Sequence, residues 1–333
     1  MRVLVTGASG LLGGAVARAI AGAGHEVRTF QRRPAGIPGI ADSLGSVTDT
    51  AAVADAVRGM DAVVHLAAKV SLAGDPAEFE RVNVGGTRNM LAAASALASA
   101  LESGLACGEP ARFVHVSSPS VAHSGASIMG DGALPADPGA ARGDYARTKA
   151  AAELLALAAD SPRLSVVAIR PHLVWGPGDT QLVQRIVDRA RSGRLPLLGH
   201  GAALIDTIYV DNAASAIAAA LERAPRVHGR SYVVTNGEPR PVAEMLAGIC
   251  RAAGVTPPSV RIPASVARTA GSLIEALWRV RPGQDEPPMT RFLAEQLSTS
   301  HWYDQRSARA DLNWQPSVSI DAGLRRLAEA YER

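Results

Sequence analysis

At 333 residues, with 47% hydrophobic and 20% charged side chains, the chain has a globular balance and room for a large α/β unit with a second lobe. A net charge of +3 without any run of basic residues excludes a nucleic-acid stripe. The eight histidines show no metal-ligand spacing, Cys107 and Cys250 form no CxxC pair, and no apolar run approaches the roughly 20 residues of a spanning helix, which leaves a cytoplasmic protein without metal or disulfides as the expectation.

Short apolar runs alternate with Ala/Leu-rich segments through the first half. VLVTG (3–7), EVRTF (26–30), DAVVHLAA (61–68), ARFVHVSS (111–118) and LSVVAIRP (164–171) read as buried strands. Between them, 11–24, 49–59 and 82–99 read as helices. Continuous apolar strands separated by helices predict a Rossmann-type, doubly wound parallel sheet covered on both faces. Past residue 172 Pro and Gly become frequent, and SYVVTN (231–236) mixes with a helix at 241–254. The expected division is a first, sheet-forming domain over 1–171, with returning segments at about 206–235 and 298–312. A smaller substrate-binding lobe is expected from 172–205, 236–297 and 313–333. No internal repeat is present.

The first strand runs into TGASGLLGG, placing Gly7, Gly10 and Gly13 where a strand turns into a helix. Glycines there permit a tight turn and close backbone approach to a pyrophosphate, and the helix N-terminus favours its charge. The second strand ends TFQRRP, with Gln31 where an NAD-preferring sheet carries an acid on the ribose, followed by Arg32 and Arg33. Guanidinium groups suit a 2′-phosphate, which points to NADP(H).

Of the 34 basic residues all but Lys69 and Lys149 are arginine. Lys149 stands four residues after Tyr145 at a helix start, so both side chains share a face. An unperturbed tyrosine titrates near pH 10, and an adjacent ammonium is expected to lower that value. A hydroxyl from a neighbouring strand end should complete the group; Ser118 is the first choice and Ser120 the second. Lys69, after HLAA at another strand end, is expected near the cofactor or a substrate carboxylate, with a plain surface role as the alternative.

With these residues in place the chain resembles the extended short-chain dehydrogenase/reductases along nearly its full length. TGASGLLG, HLAA, NVGGT, SS followed by YxxxK, RPHLVWGPGD and YVDNAASAI carry the likeness. Within that superfamily it is similar to the 3β-hydroxysteroid dehydrogenase branch. RPHLVWGPGDTQLV, the NGEP turn (236–239) and PPMTRFLAEQLSTSHWY (287–303) are similar to the bacterial 2-alkyl-3-oxoalkanoate reductases of long-chain olefin biosynthesis. The resemblance implies catalysis by Ser118, Tyr145 and Lys149. It places the cofactor against Gly7, Ser9, Gly10, Leu11 and Leu12, against Gln31, Arg32 and Arg33, and against Ser46 and Val47, where many relatives have Gly-Asp. Leu66, Ala67, Ala68, Lys69, Tyr145, Lys149, Pro171 and Leu173 complete that set. It also implies a homodimer through the helices at 82–99 and 147–159, and association with other enzymes of the olefin pathway.

Substrate class turns on LIDTIYVDN. Nucleotide-sugar epimerases and dehydratases usually place an arginine where this chain has Ile205, and an apolar side chain cannot hold a diphosphate. The segment 265–283 is apolar at Val266, Ala270, Leu273, Ile274, Leu277 and Trp278. That spacing marks an amphipathic helix, packed on the lobe's core or else walling an acyl site or touching a membrane surface. The expected reaction is NADPH-dependent reduction of a long-chain 2-alkyl-3-oxoalkanoic acid. A 3β-hydroxysteroid dehydrogenase, a nucleotide-sugar enzyme and a non-catalytic NADP-binding regulator are the alternatives. The stretch 95–112 is longer than usual before its strand and has no assigned role.

Overall fold

A computed structural model describes residues 1–71, 74–104, 110–123, 125–280 and 291–332, with side chains except at 100–104, 275–280 and 291–293. The elements β1 (Arg2–Thr6), α1 (Leu11–Gly22), β2 (Glu26–Gln31), β3 (Ala41–Leu44), α2 (Thr50–Val57) and β4 (Ala62–His65) come first. They are followed by α3 (Pro76–Phe79), a π-helical turn (Glu80–Gly85), α4 (Gly86–Gly104) and β5 (Ala111–Val116). A 3-10 turn (Pro119–Ala122), β6 (Ile128–Asp131), α5 (Gly143–Ala158) and β7 (Leu164–Pro171) come next. Then lie β8 (Val174–Trp175), α6 (Val183–Arg191), β9 (Leu197–Leu198), β10 (Leu204–Ile205), β11 (Ile208–Tyr209), α7 (Val210–Val227) and β12 (Arg230–Val234). The remaining elements are β13 (Arg240–Pro241), α8 (Val242–Ala252), β14 (Arg261–Ile262), α9 (Ala264–Val280), α10 (Arg291–Ser298), β15 (His301–Tyr303), α11 (Arg306–Leu312) and α12 (Ile320–Tyr331).

Seven strands form one sheet in the order β12-β7-β5-β4-β1-β2-β3, every pair parallel. This is the doubly wound sheet that the alternation of elements predicts. The alternation within β1 explains the two cores. Val3 and Val5 pack with α1 and α7, while Leu4 packs on the other face with Phe30, Met90 and Phe113. Burying each such side chain contributes about 1.5–3 kcal/mol, so both faces hold helices. Strand register then lines up the site. Thr6 pairs with Phe30 and His65, His65 with His115, Val116 with Ile169, and Pro171 with Val234. The loops that leave these ends therefore share one edge, where open α/β sheets bind ligands.

Strand β3 (ADSL) carries no run of apolar residues and is mostly exposed, so the periodicity missed it. β12 closes the far edge of the large sheet, and α11 packs on α7 and β12. β15 instead joins β13, β10 and β6 in a four-stranded sheet. The apolar stripe of α9 divides. Ala267 packs with Leu198 and Ala294, while Val266 and Leu273 are 55% and 68% exposed. Cys107 and the side chains of Leu277 and Trp278 lie outside the described residues. Among the described residues, no helix is long and apolar enough to cross a membrane and no side-chain group could hold a metal ion.

Candidate active site

The loop after β1 is built for close approach. Gly7 has φ +76°, and a Cβ there would stand 3.1 Å from the backbone of Ala67. A Cβ on Gly13 would lie 2.2 Å from the Gly7 carbonyl oxygen, so α1 seats on this loop only with glycine at that position. Gly10 caps α1 without a side-chain hydrogen bond, and the first turn carries no acid. The first-turn amides therefore present an uncompensated positive end to an anion. Ser9 and Gly10 are exposed, while Leu11 and Leu12 lean on the core. Such a cradle fits a dinucleotide pyrophosphate.

Thr6 ties this loop to the next. Its hydroxyl accepts from the amides of Leu66 and Ala67 at 3.1 and 3.0 Å. Both lone pairs being used, its proton goes to His65 Nδ1 at 2.9 Å. His65 is thereby the Nε2–H tautomer and donates to Thr87 Oγ1 at 3.1 Å. Burial, with the nearby Lys149 charge, draws its pKa down to about 3.

At the end of β2, Gln31 is buried and its Nε2 donates to Asp42 at 2.7 Å and to Thr29 at 3.1 Å. The Gln31 Oε1 is buried without a hydrogen-bond partner. Asp42 was not anticipated, because it sits on the unpredicted β3. Its carboxylate accepts from Thr29, from the Ala35 and Gly36 amides and from Gln31, and the Thr29 bond leads in holding its pKa low. Arg32 and Arg33 are exposed on the following loop. Val47 is buried, its carbonyl accepts from Asn89, and a Cβ on Gly86 would strike its side chain at 2.6 Å. Ser46 bonds Thr48 at 2.8 Å.

Ser118 lies between β5 and the 3-10 turn, which it caps. Its Oγ accepts from the amide of Ser120 at 3.3 Å and from the Ser120 hydroxyl at 3.0 Å. That leaves the Ser118 proton free to point outward, on the side where Ser118 acts to lower the Tyr145 pKa. Of the two candidate serines, Ser118 faces the tyrosine and Ser120 stands behind it. Lys149, one turn along α5, is 4% exposed and donates to the Val116 carbonyl at 2.6 Å. The expected lowering of the Tyr145 pKa is not what the geometry produces. Burial raises it above 10, the nearby Ser118 hydroxyl opposes that, and the Lys149 ammonium is directed at Val116 instead.

Lys69 is fixed at both ends. Asn83 accepts from its amide at 2.7 Å and donates to its carbonyl at 3.2 Å, while its ammonium pairs with Glu78 over the Phe79 ring. Asn83 also donates to Thr148 at 3.0 Å, which joins the 66–69 loop to α5. It belongs to the NVGGT motif and sits in the π-helical turn. Such turns often mark functional sites. Pro171 ends β7, and Leu173 just beyond has φ +48°, a conformation rare for a branched side chain. Ile205 is buried in the core, and its cross-strand neighbour Arg240 is committed to Glu244, Asp321 and Glu238.

Behind Pro171 lies a buried imidazole cluster that spacing did not reveal. The rings of His123 and His301 are 4.8 Å apart, and those of His172 and Tyr303 5.1 Å. His172 donates from Nδ1 to the Asp206 carbonyl at 2.7 Å. Burial pulls His172 down to about 4 and His301 to about 3.

The model of the NAD dependent epimerase/dehydratase family matches residues 3–235. A Stenotrophomonas maltophilia protein named 2-alkyl-3-oxoalkanoate reductase is 42% identical over 335 residues, covering 98% of each chain. A Mycobacterium tuberculosis 3 beta-hydroxysteroid dehydrogenase/Delta 5-->4-isomerase is 31% identical, covering 97% of this chain and 88% of the other. The crystal structure of a Bacillus cereus UDP-glucuronic acid 4-epimerase in complex with NAD shares the fold, with TM-score 0.73 at 19% identity, covering 99% and 100%. The chain belongs to the NAD dependent epimerase/dehydratase family, the extended short-chain dehydrogenase/reductases. Within it the chain is 3β-hydroxysteroid dehydrogenase-like, and it is an enzyme, an NAD(P)-dependent oxidoreductase.

Proposed function

We propose that the chain is a ketoreductase that uses NADPH to reduce a long-chain 2-alkyl-3-oxoalkanoic acid to the 3-hydroxy acid. The observation that carries this reading is Ser118 placed to act on the buried Tyr145 hydroxyl, with Lys149 one turn away on the same helix and donating to Val116 at the end of β5. The 42% identical reductase supports the substrate class. Ile205, with Arg240 already occupied by three carboxylates, speaks against a nucleotide diphosphate. Gln31 in place of an acid, and the exposed Arg32 and Arg33, support NADP(H).

The glycine cradle at 7–13 would hold the pyrophosphate, and Pro171 would bear on the nicotinamide, which supplies the hydride when bound. The chain's own work is on the oxygen. Ser118 donates its free proton in a hydrogen bond to the substrate oxygen as charge develops there. Tyr145 Oη transfers its proton to that oxygen; its raised pKa keeps it protonated at neutral pH, the form a reduction requires. The Lys149 ammonium then offsets the phenolate left behind.

A second reading, oxidation of a 3β-hydroxysteroid, draws on the mycobacterial relative. A non-catalytic NADP-binding regulator is disfavoured by the retained tyrosine and lysine. The proposed setting is the cytoplasm, suggested by the free, buried Cys250. A homodimer pairing α4 and α5, where Leu154 is exposed, and contact with other olefin-pathway enzymes complete the proposal. Turnover by the wild type against Tyr145→Phe tests the catalytic reading. A loss of about 10²-fold or more in kcat is expected, and equal rates would remove it.

A further inference from the structure

Tyr145, Lys149 and Glu153 stand at i, i+4 and i+8 on α5, a single row along the helix. Glu153 meets Arg170 of β7 in an ion pair whose side chains are 0% and 1% exposed. Arg170 Nε donates to the two carboxylate oxygens at 3.2 and 2.9 Å, and its Nη2 donates to Oε1 at 2.5 Å. The remaining Arg170 nitrogen donates to the Leu134 carbonyl at 2.7 Å, and Ser231 donates to Glu153 at 3.2 Å. The residue after Arg170 is Pro171. A single clamp thus fastens the helix bearing Tyr145 and Lys149 to the strand that ends at the proposed nicotinamide position.

Stability alone is a weak reason for such a pair, because apolar residues of the same volume often serve as well. The surroundings of Lys149 supply a better one. From β4 it is faced by His65, from β5 by His115, both held neutral by burial, and by the Val116 carbonyl, and on its own helix by Glu153. Arg170 is spent on Glu153 and the Leu134 carbonyl. Glu153 is the sole anion in that set.

Resting on the reading of Lys149 as part of the active site, we infer that Glu153, locked by Arg170, is a positioning residue that keeps Lys149 protonated and holds the Tyr145–Lys149 row against Pro171. Burial draws Lys149 down and Glu153 opposes it, leaving the ammonium at about 8. An arginine at 149 would need no such support, whereas a lysine in this site does.

The composition makes the test direct. Lys69 and Lys149 are the only lysines, so protein labelled with [13Cε]lysine gives two signals, and Lys69→Arg assigns them. Wild-type Lys149 is expected to titrate at about 8. Glu153→Gln should lower that midpoint by about 1 pH unit or more, and the alkaline limb of kcat should move with it. Glu153→Gln also leaves Arg170 buried without a counter-charge. The paired variant Glu153→Leu/Arg170→Met therefore removes both charges at similar volume, and should fold and lower Lys149 by a smaller step. An unchanged Lys149 midpoint in the folded variants overturns the inference, as does a lowered midpoint with an unmoved kinetic limb. The titration needs no substrate, so failure to turn over a keto acid would bear on the proposed function and leave the titration readable.

Discussion

The Lys149 ammonium donates to the carbonyl of Val116 at 2.6 Å, which anchors α5 to the last residue of β5, two positions before Ser118. A compact, single-point donor suits this enclosed spot, and a planar five-donor fork does not. Lys149→Arg should therefore fold but lose about 10²-fold or more of kcat, measured by steady-state turnover. Activity within a few-fold of wild type would show that charge alone suffices there.

In the proposed reading, cofactor choice rests on the end of β2. Gln31 is held by Asp42, while Arg32 and Arg33 stand exposed beside it. Replacing both arginines with serine should weaken NADP+ by about tenfold or more and leave NAD+ nearly unchanged. The Kd of each dinucleotide, followed by tryptophan fluorescence or calorimetry, checks this. Equal weakening of both would mean that the arginines do not read the phosphate.

The buried imidazoles set a pH dependence of stability. His65, His172 and His301 have folded pKa values of about 3, 4 and 3, below the ordinary 6.5. A depressed value contributes stability that is complete above pH 6.5 and is lost as pH falls toward 4, because the unfolded chain takes up the protons first. The loss is on the order of 1–2 kcal/mol per histidine at pH 5. Asp206, raised to about 6 by burial, works the other way in the same range, but it is one group against three. Thermal melts should give a lower Tm at pH 5 than at pH 7. A Tm that holds steady or rises would contradict the buried, neutral assignment.

Much of this was legible because it is local. The glycine loop, the Tyr145–Lys149 pair and the Ser118 strand end each span only a few residues, and alternation of apolar runs with helices implies a parallel sheet. Asp42 was not legible, because β3 has no apolar period and the acid reaches Gln31 only through strand pairing. His123, His172 and His301 are distant in sequence and meet only where β7 comes against the small sheet. The apolar spacing on α9 implies a single face, yet Val266 and Leu273 are exposed while Ala267 packs on Leu198 and Ala294. Tyr145 shows the electrostatic form of the same limit. An i, i+4 spacing places the lysine on the right face, but a carbonyl on another strand decides where its ammonium points.

The most direct measurement is dinucleotide reduction during oxidation of a long-chain 2-alkyl-3-hydroxyalkanoic acid, with NADP+ or NAD+, set beside a 3β-hydroxysteroid. The account predicts turnover of the hydroxy acid, faster with NADP+, and little with the steroid. Turnover of the steroid with none of the hydroxy acid would contradict it.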